Sequence, residues 1–103
     1  NLFHLLSEEE AQILISEMSS ALSPGGRSII YGPFKRNGKL TSAGDETFHQ
    51  NLIEADPQIG YKNDVWMTAQ LKKAKLELLK VATMPANNLA FIFEKPQTYQ
   101  RCD

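Results

Sequence analysis

ALSPGGRSIIYGPF, residues 21–34, decides the fold. Pro24 cannot continue a helical ladder, and Gly25-Gly26 permit the positive φ of a tight reversal, so a preceding helix ends here. Arg27 to Tyr31 then supplies a short strand centred on Ile29-Ile30, which Gly32-Pro33 ends. Upstream, Ser7 and Glu10 have the spacing of a capping box, and Glu8, Glu9 and Glu10 suit the positive end of a helix dipole. Ala11, Leu14, Ile15, Met18, Ala21 and Leu22 repeat at three- and four-residue spacing and make one apolar stripe. So one-sided a helix covers a sheet, which requires a strand ending just before Asn1 and joined to the 27–31 strand by a parallel crossover.

Downstream, residues 32–46 are polar and turn-rich, with Lys35, Arg36 and Lys39 clustered. A helix is expected over Asp45–Ala55, with Phe48 and Leu52 on one face, stopped by Asp56-Pro57. Asn63 or Asp64 can cap another over Val65–Lys75, with Val65, Ala69, Leu71 and Ala74 on its apolar side and Trp66 in the core. Strands follow at Leu76–Thr83 and Asn88–Glu94, separated by the turn-forming MPANN. The run Leu89-Ala90-Phe91-Ile92-Phe93 has the apolar continuity of a strand buried on both faces. The two earlier strands then run parallel, and the last, entered by a tight turn, runs antiparallel to them.

Composition narrows the function classes. The 103 residues are 42% hydrophobic and 22% charged with a net charge of −1, as in one ordinary globular domain. Near-cancelling charge argues against a general nucleic-acid binder. No apolar run approaches the roughly 20 residues needed to span a bilayer, and the acidic start lacks the basic region of a signal peptide. One cysteine, Cys102, excludes an internal disulfide and fits a reducing, cytoplasmic setting. No His, Cys or carboxylate pair has metal-ligand spacing, and His49 reads as surface or structural.

Ligands of open α/β sheets bind beyond the carboxyl ends of the parallel strands. Those ends lead into Asn1–Leu6, Gly32–Lys39 and Met84–Asn88, which between them hold Asn1, His4, Tyr31, Phe34, Arg36, Asn87 and Asn88. Lys35, Arg36 and Lys39 either attract an anion or form a solvated loop. Asn87 and Asn88 either offer amides to a pocket or satisfy a hairpin turn.

LSPGG leading into a strand resembles the turn before strand five of class I S-adenosylmethionine (SAM)-dependent methyltransferases. NLFH, YGPFKRNGK, FHQNLIEADPQIGYKND and MPANNLAFIFEK together resemble an uncharacterised methyltransferase-like family, often carried as a domain of unknown function and similar to the vertebrate methyltransferase-like protein 26. The resemblance covers nearly all of the chain up to Pro96. It implies an α/β, Rossmann-like sheet of order 3-2-1-4-5-7-6, of which residues 1–103 are the back half, strands 5-7-6 with the last antiparallel and helices flanking. It implies that the glycine-rich loop and the acidic residue that hold most of the SAM lie upstream, so that this chain alone binds the cofactor poorly. Asn1 and His4 match the family's Asn-x-x-His, which puts Asn1, Leu2 and His4 at the cofactor, with His4 a candidate general base or a loop cap. Tyr31, Gly32, Pro33, Phe34, Arg36, Asn87 and Asn88 become candidates for the acceptor side. The implied activity is methyl transfer to an unknown acceptor, a small molecule or protein before a nucleic acid. The alternative is a non-catalytic domain of the same fold that binds a protein partner. Without a neighbouring strand, the 27–31 strand leaves an edge open to self-association.

Overall fold

The computed structural model describes residues 2–96. After a short 3-10 turn at Phe3–Leu5, the elements run α1 (Glu8–Ala21), β1 (Arg27–Gly32), α2 (Ala43–Ala55), α3 (Asp64–Lys73), β2 (Glu77–Met84) and β3 (Asn88–Glu94). The strands form one sheet of order β1-β3-β2, with β3 antiparallel to both neighbours, so β1 and β2 run parallel with β3 between them. The directions are those that the spacing and the tight final turn predict, and the order is the one that the family resemblance implies.

Helix α1 begins as its sequence dictates. Ser7 Oγ accepts from Glu10 N at 3.1 Å while Glu10 Oε1 accepts from Ser7 N at 2.9 Å, which satisfies two donors that a helix start leaves over. It ends where Pro24 forbids continuation, and Gly25 takes a φ of +84°. The Pro-Gly-Gly reversal is also tied to the far end of the sheet. Gly25 N donates to Lys95 O at 2.6 Å, and Lys95 N donates to Gly26 O at 2.8 Å. Register is thus fixed at the mouth of β1, where Arg27 and Glu94 pair at 2.8 Å.

Ile30, Leu89, Phe91 and Phe93 meet Ala11 and Ile15 of α1 and Met67 and Leu71 of α3 in one core, with Phe3 and Phe34 closing its end. Two polar contacts hold the helices side by side: Gln12 Nε2 donates to Gln70 Oε1 at 3.2 Å, and Ser19 Oγ donates to Ala74 O at 2.9 Å. The core face of α3 differs from the expected one. Met67, Gln70 and Leu71 are buried whereas Val65 and Ala69 face solvent, and Trp66 is only partly buried at the margin. The 67-70-71-74 stripe has the helical period and carries the larger apolar side chains, so it wins the sheet. Nor does α2 carry a buried residue; Phe48 is exposed and faces a cavity described below. Its work is to carry polar and aromatic groups over the carboxyl ends of β1 and β2.

Candidate functional site

The loop after β1 is stitched to the segment before α3. Lys35 N donates to Lys62 O at 2.8 Å, and Asp64 N donates to Lys35 O at 3.0 Å. Asn63 precedes α3, but its side chain does not cap the helix: Asn63 Oδ1 accepts from Gly38 N at 2.7 Å, and Asp64 Oδ1 accepts from Asn37 N at 2.9 Å. The Asn63 side chain is thus drawn off by the neighbouring loop, whereas Asp64 Oδ1 is shared between that loop and Val65 N of the first turn, at 2.7 Å.

Gly60, Tyr61 and Lys62 connect this loop to the Phe3–Leu5 turn. Gly60 N donates to His4 O at 3.0 Å, and Lys62 Nζ donates to Gly60 O at 2.9 Å and also to Leu6 O. Lys62 is 5% exposed. Burial lowers its ammonium pKa, while Glu8 and Glu10 oppose the shift. Tyr61 N donates to His49 Nδ1 at 3.1 Å, which ties the segment to α2.

A second network closes the other side. Tyr61 Oη donates to Asp45 Oδ1 at 2.6 Å; Asp45 Oδ2 accepts from Asn87 Nδ2 at 2.6 Å and from Ser42 Oγ at 3.0 Å. Burial acts to raise the Asp45 pKa, but the hydrogen bonds from Tyr61, Asn87 and Ser42, with the Arg36 charge, outweigh it and lower the net value. The phenol of Tyr61 is pushed far up by burial, and then by the hydrogen bond to Asp45 and the charge of that carboxylate. At neutral pH the pair is therefore one carboxylate and one phenol.

Between these networks lies a cavity of about 410 Å³ lined by His4, Pro33, Asp45, Phe48, Tyr61, Ala86 and Asn88. It gathers the three loops expected at the carboxyl rim of the parallel strands. Three rings wall it: His4 to Phe48 at 5.5 Å between centroids, Phe48 to Tyr61 at 6.1 Å and His4 to Tyr61 at 6.2 Å, all tilted or edge-on. His4 is 8% exposed, and its Nδ1 is buried with no hydrogen-bond partner among the described residues. Burial lowers its pKa, assisted by the Lys62 ammonium, so the imidazole is neutral at pH 7.

The other candidates divide. Pro33 and Asn88 line the cavity. Tyr31 stands beside it, its Oη accepting from Asn88 Nδ2 at 3.1 Å. Gly32 is buried in β1, and Phe34 is 3% exposed, packed edge-on against Phe91 at 4.8 Å. Phe34 is thus a core residue and does not wall the cavity, because the loop turns inward after Pro33 and the sheet offers it an apolar partner. Arg36 is drawn into the β2–β3 turn: Nη1 donates to Asn87 Oδ1 at 2.9 Å, and Nη2 donates to Asn87 O at 3.0 Å and Asn88 O at 3.4 Å. That turn puts Ala86 and Asn87 at φ of 60° and 63°, a left-handed pair that the guanidinium fork braces. Leu2 is 47% exposed and outside the cavity lining. Asn1 and Cys102 lie outside the described residues. Sequence reasoning missed Asp45 and Tyr61. Two polar groups in different segments carry no shared period, so nothing in the sequence pairs them.

Three solved methyltransferase structures share this fold. An O-methyltransferase family 2 protein from Planctomyces limnophilus, in complex with apigenin, matches with a TM-score of 0.81 at 16% identity, covering 92% of this chain and 29% of that one. An O-methyltransferase family protein from Burkholderia thailandensis matches with a TM-score of 0.79 at 15% identity over 95% of this chain and 29% of its own length. Human N-acetylserotonin methyltransferase, in complex with SAM, matches with a TM-score of 0.79 at 12% identity over 94% of this chain and 28% of its own length. The chain therefore spans under a third of each of these proteins, and what it shares with them is the Rossmann-like methyltransferase fold. Within that fold its own sequence matches, over residues 1–95, the family described as a protein of unknown function, DUF938, and the chain belongs to that family.

Proposed function

We propose that this chain forms the acceptor side and part of the cofactor rim of a SAM-dependent methyltransferase, as the C-terminal part of a single domain whose preceding segment holds most of the cofactor. The observation that carries this reading is an aromatic cavity at the carboxyl ends of β1 and β2, built from three separate loops. Structures of the same fold are named as complexes with SAM or S-adenosylhomocysteine. The residues present fit one side of such a site: a buried imidazole nitrogen without a partner among the described residues lies at the loop where the resemblance puts Asn1, Leu2 and His4 against the cofactor. The sequence contains no G-x-G-x-x-G loop to cradle the rest.

SAM, when bound, supplies a methyl group on a sulfonium, open to in-line attack by a nucleophile. The chain's own residues would do the remaining work. Phe48, Tyr61 and Pro33 exclude water and hold the acceptor, and Asn88 orients it. His4, neutral and lining the cavity, accepts the proton that the acceptor releases. The acceptor is a small molecule or a protein side chain.

Calorimetric titration of S-adenosylhomocysteine tests the proposal, run on this chain and on a longer protein that includes the preceding segment. Binding by the longer protein, weakened by His4→Ala, is expected, with much weaker binding to the chain alone. Absence of binding to both overturns it.

A further inference from the structure

The hydrogen-bond inventory around the cavity is lopsided. Asn87 spends both amide protons inside the protein, on Thr41 Oγ1 and Asp45 Oδ2. Asn88 spends both of its own on Tyr31 Oη and Pro85 O, each at 3.1 Å. The Tyr61 proton goes to Asp45 Oδ1, and the Ser42 proton goes to Asp45 Oδ2. The Arg36 guanidinium is separated from Asp45 by Asn87, donates through Nη1 and Nη2 into the turn and to Thr41, and does not line the cavity.

Arg36 Nε is also buried without a partner among the described residues, but it lies off the lining, and what is left over on the lining itself mostly accepts. Each carboxylate oxygen has room for about two hydrogen bonds, so Asp45 Oδ1 keeps one site. Tyr61 Oη keeps its lone pairs, and Asn88 Oδ1 has no partner among the described residues. Among the lining side chains, only the N–H of neutral His4 remains as a donor, and the Tyr31 hydroxyl proton stands next to the cavity. The one formal charge on the lining is the negative charge of Asp45.

We propose that this cavity selects a flat ring that carries a hydrogen-bond-donating hydroxyl or amine and no negative charge, with Asp45 as the residue that sets this preference. The aromatic wall of His4, Phe48 and Tyr61 receives the ring, and the Asp45–Tyr61–Asn88 acceptors receive its donor. A carboxylate or phosphate finds few donors there and a like charge instead, and it is rejected because its oxygens lose water without replacement. This deepens the acceptor-pocket reading and rests on it only in calling the ligand an acceptor.

The test needs neither cofactor nor turnover. Phenol, anisole and benzoate present the same ring with a donor, without one and with a negative charge. Each is titrated into this chain, with amide and side-chain NMR shifts followed at Tyr61, Phe48 and Asn88. Phenol is expected to shift these signals with a dissociation constant about tenfold below those of anisole and benzoate, one hydrogen bond's worth. Asp45→Asn keeps the shape, removes the charge and adds a donor, and should narrow the phenol-to-benzoate ratio several-fold. Benzoate binding as tightly as phenol, or no ligand shifting these signals, overturns the proposal. The wild-type comparison decides even where the variant fails to fold. Because no SAM is present, failure here is separate from failure of the cofactor titration.

Discussion

Gly60→Ala isolates the contact that ties the Tyr61 segment to α2. Gly60 has a φ of +131°, and a Cβ built there lies 2.8 Å from His49 Cε1 and 3.1 Å from His49 Nδ1. Two costs follow. A side chain in that backbone region costs about 1–3 kcal/mol. The His49 ring must also retreat by several tenths of an ångström, which breaks the 3.1 Å bond that it accepts from Tyr61 N, worth about 1 kcal/mol. The variant should therefore lose about 2–4 kcal/mol, a large part of the 5–15 kcal/mol typical of a domain. The assay is urea unfolding of wild type, Gly60→Ala, His49→Ala and the double variant. With the ring gone, the alanine should cost only its backbone part, so the double variant should be about 1 kcal/mol more stable than the sum of the singles predicts. A Gly60→Ala cost below about 0.5 kcal/mol, within the ordinary surface range, would refute the reasoning, as would strict additivity.

The histidines predict acid sensitivity. Burial lowers the pKa of both His4 and His49 below the ordinary 6.5, assisted in both by Lys62, so their contribution to stability is present above pH 6.5 and lost as pH falls through the lower folded values. His49→Asn keeps an acceptor for Tyr61 N without titrating, and should flatten the fall of the urea midpoint below pH 6.5; an unchanged slope counts against this account. Arg36→Lys removes the fork that braces the β2–β3 turn and should cost about 1–3 kcal/mol, with faster amide exchange at Asn87 and Asn88. Wild-type exchange rates in that variant would show that the turn holds itself. Lastly, β1 pairs only with β3 among the described residues, and Ile29 on it is 54% exposed, so we propose that this chain self-associates through that edge. Sedimentation velocity should show concentration-dependent association, suppressed by Ile29→Lys, and a monomer at all concentrations refutes it.

Elements were legible in the sequence because their causes are local. The capping box at Ser7, the stop at Pro24, the turn at MPANN and the unbroken apolar run of β3 each act within a few residues of chain. From these followed the direction of every strand and the rim on which the cavity lies. The tight turn into β3 fixes it antiparallel, and the helical crossover makes β1 and β2 parallel. Less local features were misread. The core face of α3 is settled by what the sheet can bury, and the Asn63 side chain is taken by the Gly38 backbone while Asp64 is shared between Asn37 and Val65.

The site lies at that same boundary. His4 and Asn88 were indicated by topology, since each sits in a loop at the carboxyl ends of the strands, and Pro33 by the family resemblance. Asp45 and Tyr61 were not, because their hydrogen bond joins residues 16 apart across a loop, and Asn87 closes on Asp45 from 42 residues away. Sequence alone determined which segments become helix, strand and turn, and which rim of the sheet they share, because propensity, caps and periodicity are properties of neighbouring residues. Only the tertiary structure decided that Arg36 and Phe34 turn inward while Asp45, Phe48 and Tyr61 face the cavity. Those choices depend on which partner each side chain meets once distant segments have packed, and no local rule contains that information.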